Sequence, residues 1–326
     1  MKKREGIMKK ATKIRSKSNL TNLIESDMII VSGKYKYKFS WNWAKLPEDM
    51  KLTLISGVTC DKEGNVYALN RSEDYPIVVF DKDGNLIKRI SIKEPVKRVH
   101  GAYMTSDEKI WFADDGGHVV RKIDKEGNVI MTIGEFGKPS DTGCNNALPS
   151  PELAKSIKYR GLPFNRPTKA FETDNGNIYV SDGYANVAIH KFGKDGNLIK
   201  SWGAVGNGDN EFRRPHGIWV DKFERVWVAD RENDTVKIFN SEGEFIHRID
   251  DLLFPTDFWS DGNLMYVGEL DGRLSIFDLE FKLVAQLGFA GSPLCVHALY
   301  GMPNGDLFAC VFRGEYYLVK LERIWD

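Results

Sequence analysis

The chain has 326 residues, 42% hydrophobic and 28% charged, with 46 Lys or Arg balanced by 46 Asp or Glu. Such a composition belongs to a chain that buries a core, which excludes disordered and fibrous classes. Formal neutrality sets up no global attraction to nucleic acid or a membrane surface, and no apolar stretch is long enough to span a bilayer, so neither is an expected partner.

Residues 1–20 hold eight basic side chains, Lys2, Lys3, Arg4, Lys9, Lys10, Lys13, Arg15 and Lys17, against one acid, Glu5. The segment has no apolar core of the secretory type. It reads as a basic, disordered tail over 1–30 of a cytoplasmic protein, with an organelle address as the alternative. The four cysteines, Cys60, Cys144, Cys295 and Cys310, form no CxxC pair and read as reduced thiols. Cys60 and Cys310 fall in apolar strand patterns and are expected in the core.

KYKYKFSWNW, from Lys34 to Trp43, alternates like a strand but belongs to no obvious sheet. After it one phrase recurs six times: an apolar strand, a tight turn, a second strand ending in a polar loop, a third strand, then K-D-G-N-L or a variant and a fourth strand. The first copy, SGVTCDKEGNVYALNRSEDYPIVVFDKDGNLIKRI, starts at Ser56; the others start at Val99, Arg166, Arg214, Phe254 and Cys295. Four short strands every 40 residues or so make a propeller blade, not a helical solenoid. The sixth copy ends after its third strand, at LVKLERIWD. The N-terminal strand is therefore expected to complete it, giving an all-β, six-bladed β-propeller over 31–326 closed without exposed edges. One long insertion, 137–163, follows blade two and is a candidate lid.

The innermost strand of a blade lines the central channel, and its first residues occupy equivalent places. In order these are Ser56, His100, Thr168, His216, Thr256 and His297. Histidine occurs at alternate blades only, about 120° apart in a six-fold ring. Three imidazoles so placed converge on the axis as three protein ligands of a metal, leaving a position for water or substrate. Zinc is the expected ion; Fe(II) or another divalent ion fits the same donors. His118, His190 and His247 fall at other positions and are assigned no role.

The loop after each second strand opens on the same channel mouth. These loops offer Arg71, Asp114 and Asp115, Asp182 and Tyr184, Asp230 and Arg231, Glu269 and Asp271, and Arg313. Arginine presents a fixed fork to a carboxylate, and a tyrosine beside arginine and a divalent cation can act as a base. Asp114, Asp182 and Asp230 are expected to cap turns or bridge blades, and Arg231 has Asp230 and Glu232 as local ion-pair partners.

The phrases SDGY, PHG, ADREN and SGV, with N-x-Y-A, resemble the NHL-repeat propeller of peptidyl-α-hydroxyglycine α-amidating lyase (peptidylamidoglycolate lyase) over roughly 56–324. The resemblance implies a channel zinc on His100, His216 and His297, Tyr184 as base, and Arg71 and Arg231 beside it. It implies a carbon–nitrogen lyase acting on a small substrate with a carboxylate, of the α-hydroxyglycine or related α-hydroxy-carboxylate type. Departures are instructive. An aspartate that helps hold a structural calcium in the animal enzymes is replaced by Ala298, which puts Ca2+ in doubt. Cys295 stands where the family has a methionine and, with Arg313, is a candidate substrate contact. Another metal-dependent hydrolase or lyase on the same site, and a non-catalytic NHL propeller that binds a protein partner, are the alternative readings.

Overall fold

The computed structural model describes residues 28–312 and 316–325. Five sheets of four antiparallel strands follow one another along 55–90, 99–133, 167–202, 215–249 and 255–288. The sixth sheet takes Val296–Gly301, Leu307–Phe312 and Tyr316–Ile324 from the C-terminal end, then Tyr35–Ser40 from the N-terminal end. Lys36 pairs with Ile324 and Ser40 with Lys320, so the early strand does complete the last blade.

A fifth strand, Ile29–Ser32, folds back on Tyr35–Ser40. It begins two residues before the expected start of the propeller at 31. The rest of the basic segment, 1–27, lies outside the described residues. Alternation decides how the closing strand sits: Tyr35, Tyr37 and Phe39 are buried, and Lys36 and Lys38 point outward. Its aromatic face packs on Leu274, Ile276 and Leu287 of blade five.

Closure is equally visible in the core, which is divided into six apolar clusters, one at each blade–blade contact. The cluster between blades six and one holds Cys310, Phe308 and Leu318 against Val58, Cys60 and Val66. All four cysteines are free thiols, and Cys60 and Cys310 are in the core.

The recurring turns explain themselves locally. In D-K-D-G-N the Asp81 carboxylate accepts the backbone N–H groups of Asp83 and Asn85, each at 2.9 Å. Gly84 takes a φ of +84°, and a Cβ there would lie 1.9 Å from the carbonyl oxygen of Trp43. Only glycine satisfies both demands.

In all six blades the pairing of the innermost strand with its neighbour slips at or beside the channel residue. The breaks fall between Ile55 and Gly57, His100 and Ala102, Pro167 and Lys169, Pro215 and Ile218, Pro255 and Asp257, and Val296 and Ala298. A bulge frees one residue from the ladder and re-aims it.

Candidate active site

The channel residues form a ring of interlocking hydrogen bonds between blades. The hydroxyls of Ser56, Thr168 and Thr256 donate to the carbonyls of Val99, Pro215 and Val296, each just before a channel histidine, at 2.6, 3.2 and 2.7 Å. In return, Nδ1 of His100 bonds the Thr168 carbonyl at 2.6 Å and Nδ1 of His216 bonds the Thr256 carbonyl at 2.8 Å. A carbonyl only accepts, so both rings carry their proton on Nδ1 and turn a bare Nε2 toward the axis. Gly101 and Gly217 make this approach possible: a Cβ on either would lie 2.2 or 2.4 Å from those same carbonyl oxygens.

The three imidazoles meet. Their ring centroids are 5.0 to 5.1 Å apart, with planes at 82° to 84°. One ligating nitrogen from each lies within 4.8 Å of the others. Nε2 of His100 and Nε2 of His297 are 3.4 Å apart. Two nitrogens on a tetrahedral zinc with Zn–N of 2.0–2.1 Å stand roughly 3.3–3.4 Å apart, so the donor set fits such an ion.

All three rings are buried and held neutral. Burial depresses the pKa of His297 to about 3, aided by the guanidinium groups of Arg231 and Arg71. Burial also pushes His100 and His216 well below the usual range, with His297 and Arg71 adding to the effect at His100 and Arg231 at His216. Histidines in the unfolded chain take up protons near pH 6.5, whereas these resist it in the fold. The unfolded state therefore binds more protons, and stability falls with acidification. Denaturant titrations of the metal-stripped protein should show a midpoint that drops from about pH 6.5 downward. Replacing the three histidines by Asn should flatten that dependence.

Tyr184 closes the site from above. Its hydroxyl lies 2.8 Å from Nε2 of His100 and 3.1 Å from Nε2 of His216. The guanidinium carbons of Arg231 and Arg214 each stand 5.7 Å from its ring centre. Glu232 holds both arginines, accepting from Arg231 Nη2 at 3.1 Å and pairing with Arg214 Nη1 at 2.9 Å. Across the mouth, Arg71 lies 3.5 Å from the buried carboxylate of Asp115, which also pairs with Arg98. Burial raises the pKa of Asp115, and those two guanidinium groups oppose the rise.

His100, His216, His297, Tyr184, Arg71 and Arg231 thus come together. Cys295 immediately precedes the innermost strand of blade six; its buried thiol donates to the Ser292 carbonyl at 3.5 Å. Arg313 lies outside the described residues. Asp114, Asp182 and Asp230 clamp the loops: Asp114 Oδ1 accepts from Arg98 N at 2.8 Å, Asp182 Oδ2 from Asn165 N at 2.8 Å, and Asp230 Oδ1 from Arg214 N at 3.0 Å. Among the other histidines, His190 bonds the Ser201 hydroxyl at 2.7 Å and His247 stacks on Phe281.

The sequence reading passed over Arg98, Arg166 and Arg214. Their signal was available, because each stands two residues before its blade's channel residue. The insertion 137–163 grips the loop that carries Tyr184. Thr142 donates to the Ala185 carbonyl at 2.8 Å, and Asn186 exchanges two bonds with the backbone of Gly161.

Two other charged groups bear on metal binding. Asp61, Glu63 and Glu108 form a carboxylate cluster, but the Lys125 ammonium lies within 3.1 to 3.4 Å of all three. Beside Ala298, which offers no oxygen ligand, the carboxylate of Asp257 accepts from Leu299 N and pairs with the Lys169 ammonium at 2.5 Å.

No family model matches the chain. It is 28% identical over 260 residues to human NHL repeat-containing protein 3, covering 74% of this chain and 70% of that protein. It is 30% identical over 220 residues to a probable peptidyl-alpha-hydroxyglycine alpha-amidating lyase of Caenorhabditis elegans, covering 58% of this chain and 57% of that protein. A gluconolactonase from Xanthomonas campestris superposes with a TM-score of 0.63 at 12% identity, over 92% of this chain and 96% of that one, a likeness of fold alone. Sequence and architecture agree: the chain is a six-bladed β-propeller, similar in sequence to NHL repeat-containing protein 3 and to the peptidyl-α-hydroxyglycine α-amidating lyases.

Proposed function

We propose that this protein is a metal-dependent lyase that splits an N-acyl-α-hydroxyglycine, or a related α-hydroxy carboxylate, at the carbon–nitrogen bond. The observation that carries the reading is a phenol oxygen within about 3 Å of two bare imidazole nitrogens, ringed by guanidinium groups. His100, His216 and His297 would hold the ion, zinc by first choice for an all-imidazole set, and it would serve as a Lewis acid toward a substrate oxygen.

The side chains supply the rest. Arg71, on the blade-one side of the mouth, is a fork for the carboxylate. Tyr184 takes the proton of the α-hydroxyl as the carbonyl of glyoxylate forms. The carbon–nitrogen bond breaks with its electron pair going to nitrogen. The proton gained by Tyr184 passes to that nitrogen, so the products are a primary amide and glyoxylate with no net proton change. Arg214 and Arg231 stand over the tyrosine ring, where charge develops during the transfer.

The test is metal analysis of the purified protein together with glyoxylate release from N-acetyl-α-hydroxyglycine. We expect about one metal ion per chain. The triple substitution of His100, His216 and His297 by Ala should lose it while circular dichroism stays that of a β-propeller. Protein without metal or turnover would favour the alternative of a non-catalytic NHL propeller, to which the similarity to NHL repeat-containing protein 3 also speaks.

A further inference from the structure

The channel mouth is two-faced. In every blade the residue two places before the channel position has its carbonyl bonded by a backbone N–H at the end of the second strand. These pairs are Leu54 with Arg71, Arg98 with Asp115, Arg166 with Tyr184, Arg214 with Arg231, Phe254 with Leu270, and Cys295 with Phe312, at 2.9 to 3.3 Å. Because the same bond recurs, these residues face one another across the rim in every blade, Tyr184 standing one residue further along its loop than its five counterparts. Blades two to four present only charged groups and the tyrosine. Blades five and six, and Leu54 of blade one, present only apolar groups and a thiol.

The apolar arc is open to solvent, unlike the blade cores. Leu54 is 41% exposed, Phe254 40% and Phe312 39%. Large apolar side chains about 40% exposed at a channel mouth offer a surface that an apolar ligand group can cover. On the opposite arc, a substrate carboxylate finds several guanidinium groups. A molecule with its carboxylate on that side and its reacting carbon over the imidazoles must direct its remaining substituent toward blades five and six.

We propose that Leu54, Phe254, Leu270 and Phe312 form an acyl subsite that selects substrates whose N-acyl group is aliphatic or aromatic. The proposal rests on the lyase reading for the orientation of the carboxylate, and it names the half of the substrate that the reaction itself does not specify. Burial of a methylene group improves binding roughly fourfold, so lengthening an acyl group by four methylenes, half covered, should improve binding by at least about tenfold.

The experiment compares N-acetyl- and N-hexanoyl-α-hydroxyglycine as substrates by KM and kcat. In parallel it compares N-acetylglycine with N-hexanoylglycine, which lack the hydroxyl and cannot react, as ligands by calorimetry. We expect the hexanoyl compounds to show KM and Kd values at least about tenfold lower, with kcat little changed. Phe254→Ser and Leu270→Ser should each collapse that ratio toward one; because they lie on one blade, Leu54→Ser provides an independent variant if either fails to fold. Chain-length-independent KM and Kd in the wild type, or an undiminished ratio in folded variants, would overturn the subsite. Preferential binding of hexanoylglycine, abolished by the variants, in a protein that turns over neither substrate would instead sink the lyase reading and leave the subsite standing.

Discussion

Tyr184→Phe should lower kcat for glyoxylate release by about 10²–10⁴-fold, the usual worth of a positioned proton acceptor, and leave metal content near that of the wild type. Phenylalanine keeps the ring that faces Arg214 and Arg231 and removes only the hydroxyl that reaches Nε2 of His100 and His216. The imidazoles of His100 and His216 keep their own supports, since the Nδ1 of each is bonded to the backbone of the next blade and not to Tyr184. Metal analysis and steady-state kinetics on the same preparation therefore separate the two roles. Retained turnover with retained metal would remove Tyr184 from the reaction. Joint loss of both would make the phenol a part of the metal site.

Lys169→Met should cost about 3–5 kcal/mol of folding stability, read as a lowered midpoint in urea. Lys169 and Asp257 are among the least exposed charged residues of the molecule, with their side chains at 4% and 5%. The pair joins blade three to blade five past blade four, where Gly217 leaves room; a Cβ there would lie 2.9 Å from the Cα of Asp257. Methionine preserves the length of the side chain and its place near Trp219, so the change isolates the charge. What remains is a carboxylate in the wall of the channel with one bond, from Leu299 N at 3.1 Å, and no cation. Adding Asp257→Leu to Lys169→Met should recover much of the loss, because a buried pair replaced by two apolar side chains is often neutral. If the single and double variants are equally unstable, the effect lies in packing and not in the orphaned charge.

Much of the site was legible because a repeat turns position into geometry. His100, His216 and His297 stand at one place in alternate copies, and a closed six-fold ring leaves them only the axis to meet on. The same comparison, moved two residues upstream, would have yielded Arg98, Arg166 and Arg214, and with them the division of the mouth into a basic and an apolar arc. Asp114, Asp182 and Asp230 were read as structural from their turn positions, and each does accept backbone N–H groups of the incoming connection. Arg231 makes two contacts at once: it pairs with Glu232 and it faces Tyr184.

Strand number, blade number and the borrowed closing strand follow from local chemistry, since alternation, turn residues and a truncated last copy are properties of short stretches of chain. The bulge at or beside each channel residue, the choice of imidazole tautomer, the grip of 137–163 on the Tyr184 loop and the Lys169–Asp257 pair belong to another category. Each depends on atoms of different blades, or of an insertion and a blade, meeting across the closed ring. A carbonyl from one blade must arrive within 2.6 Å of a ring nitrogen of the next, and an ammonium 88 residues away must find a carboxylate. Such meetings are set by how the sheets pack and twist about the axis, a property of the assembled ring that no single repeat contains.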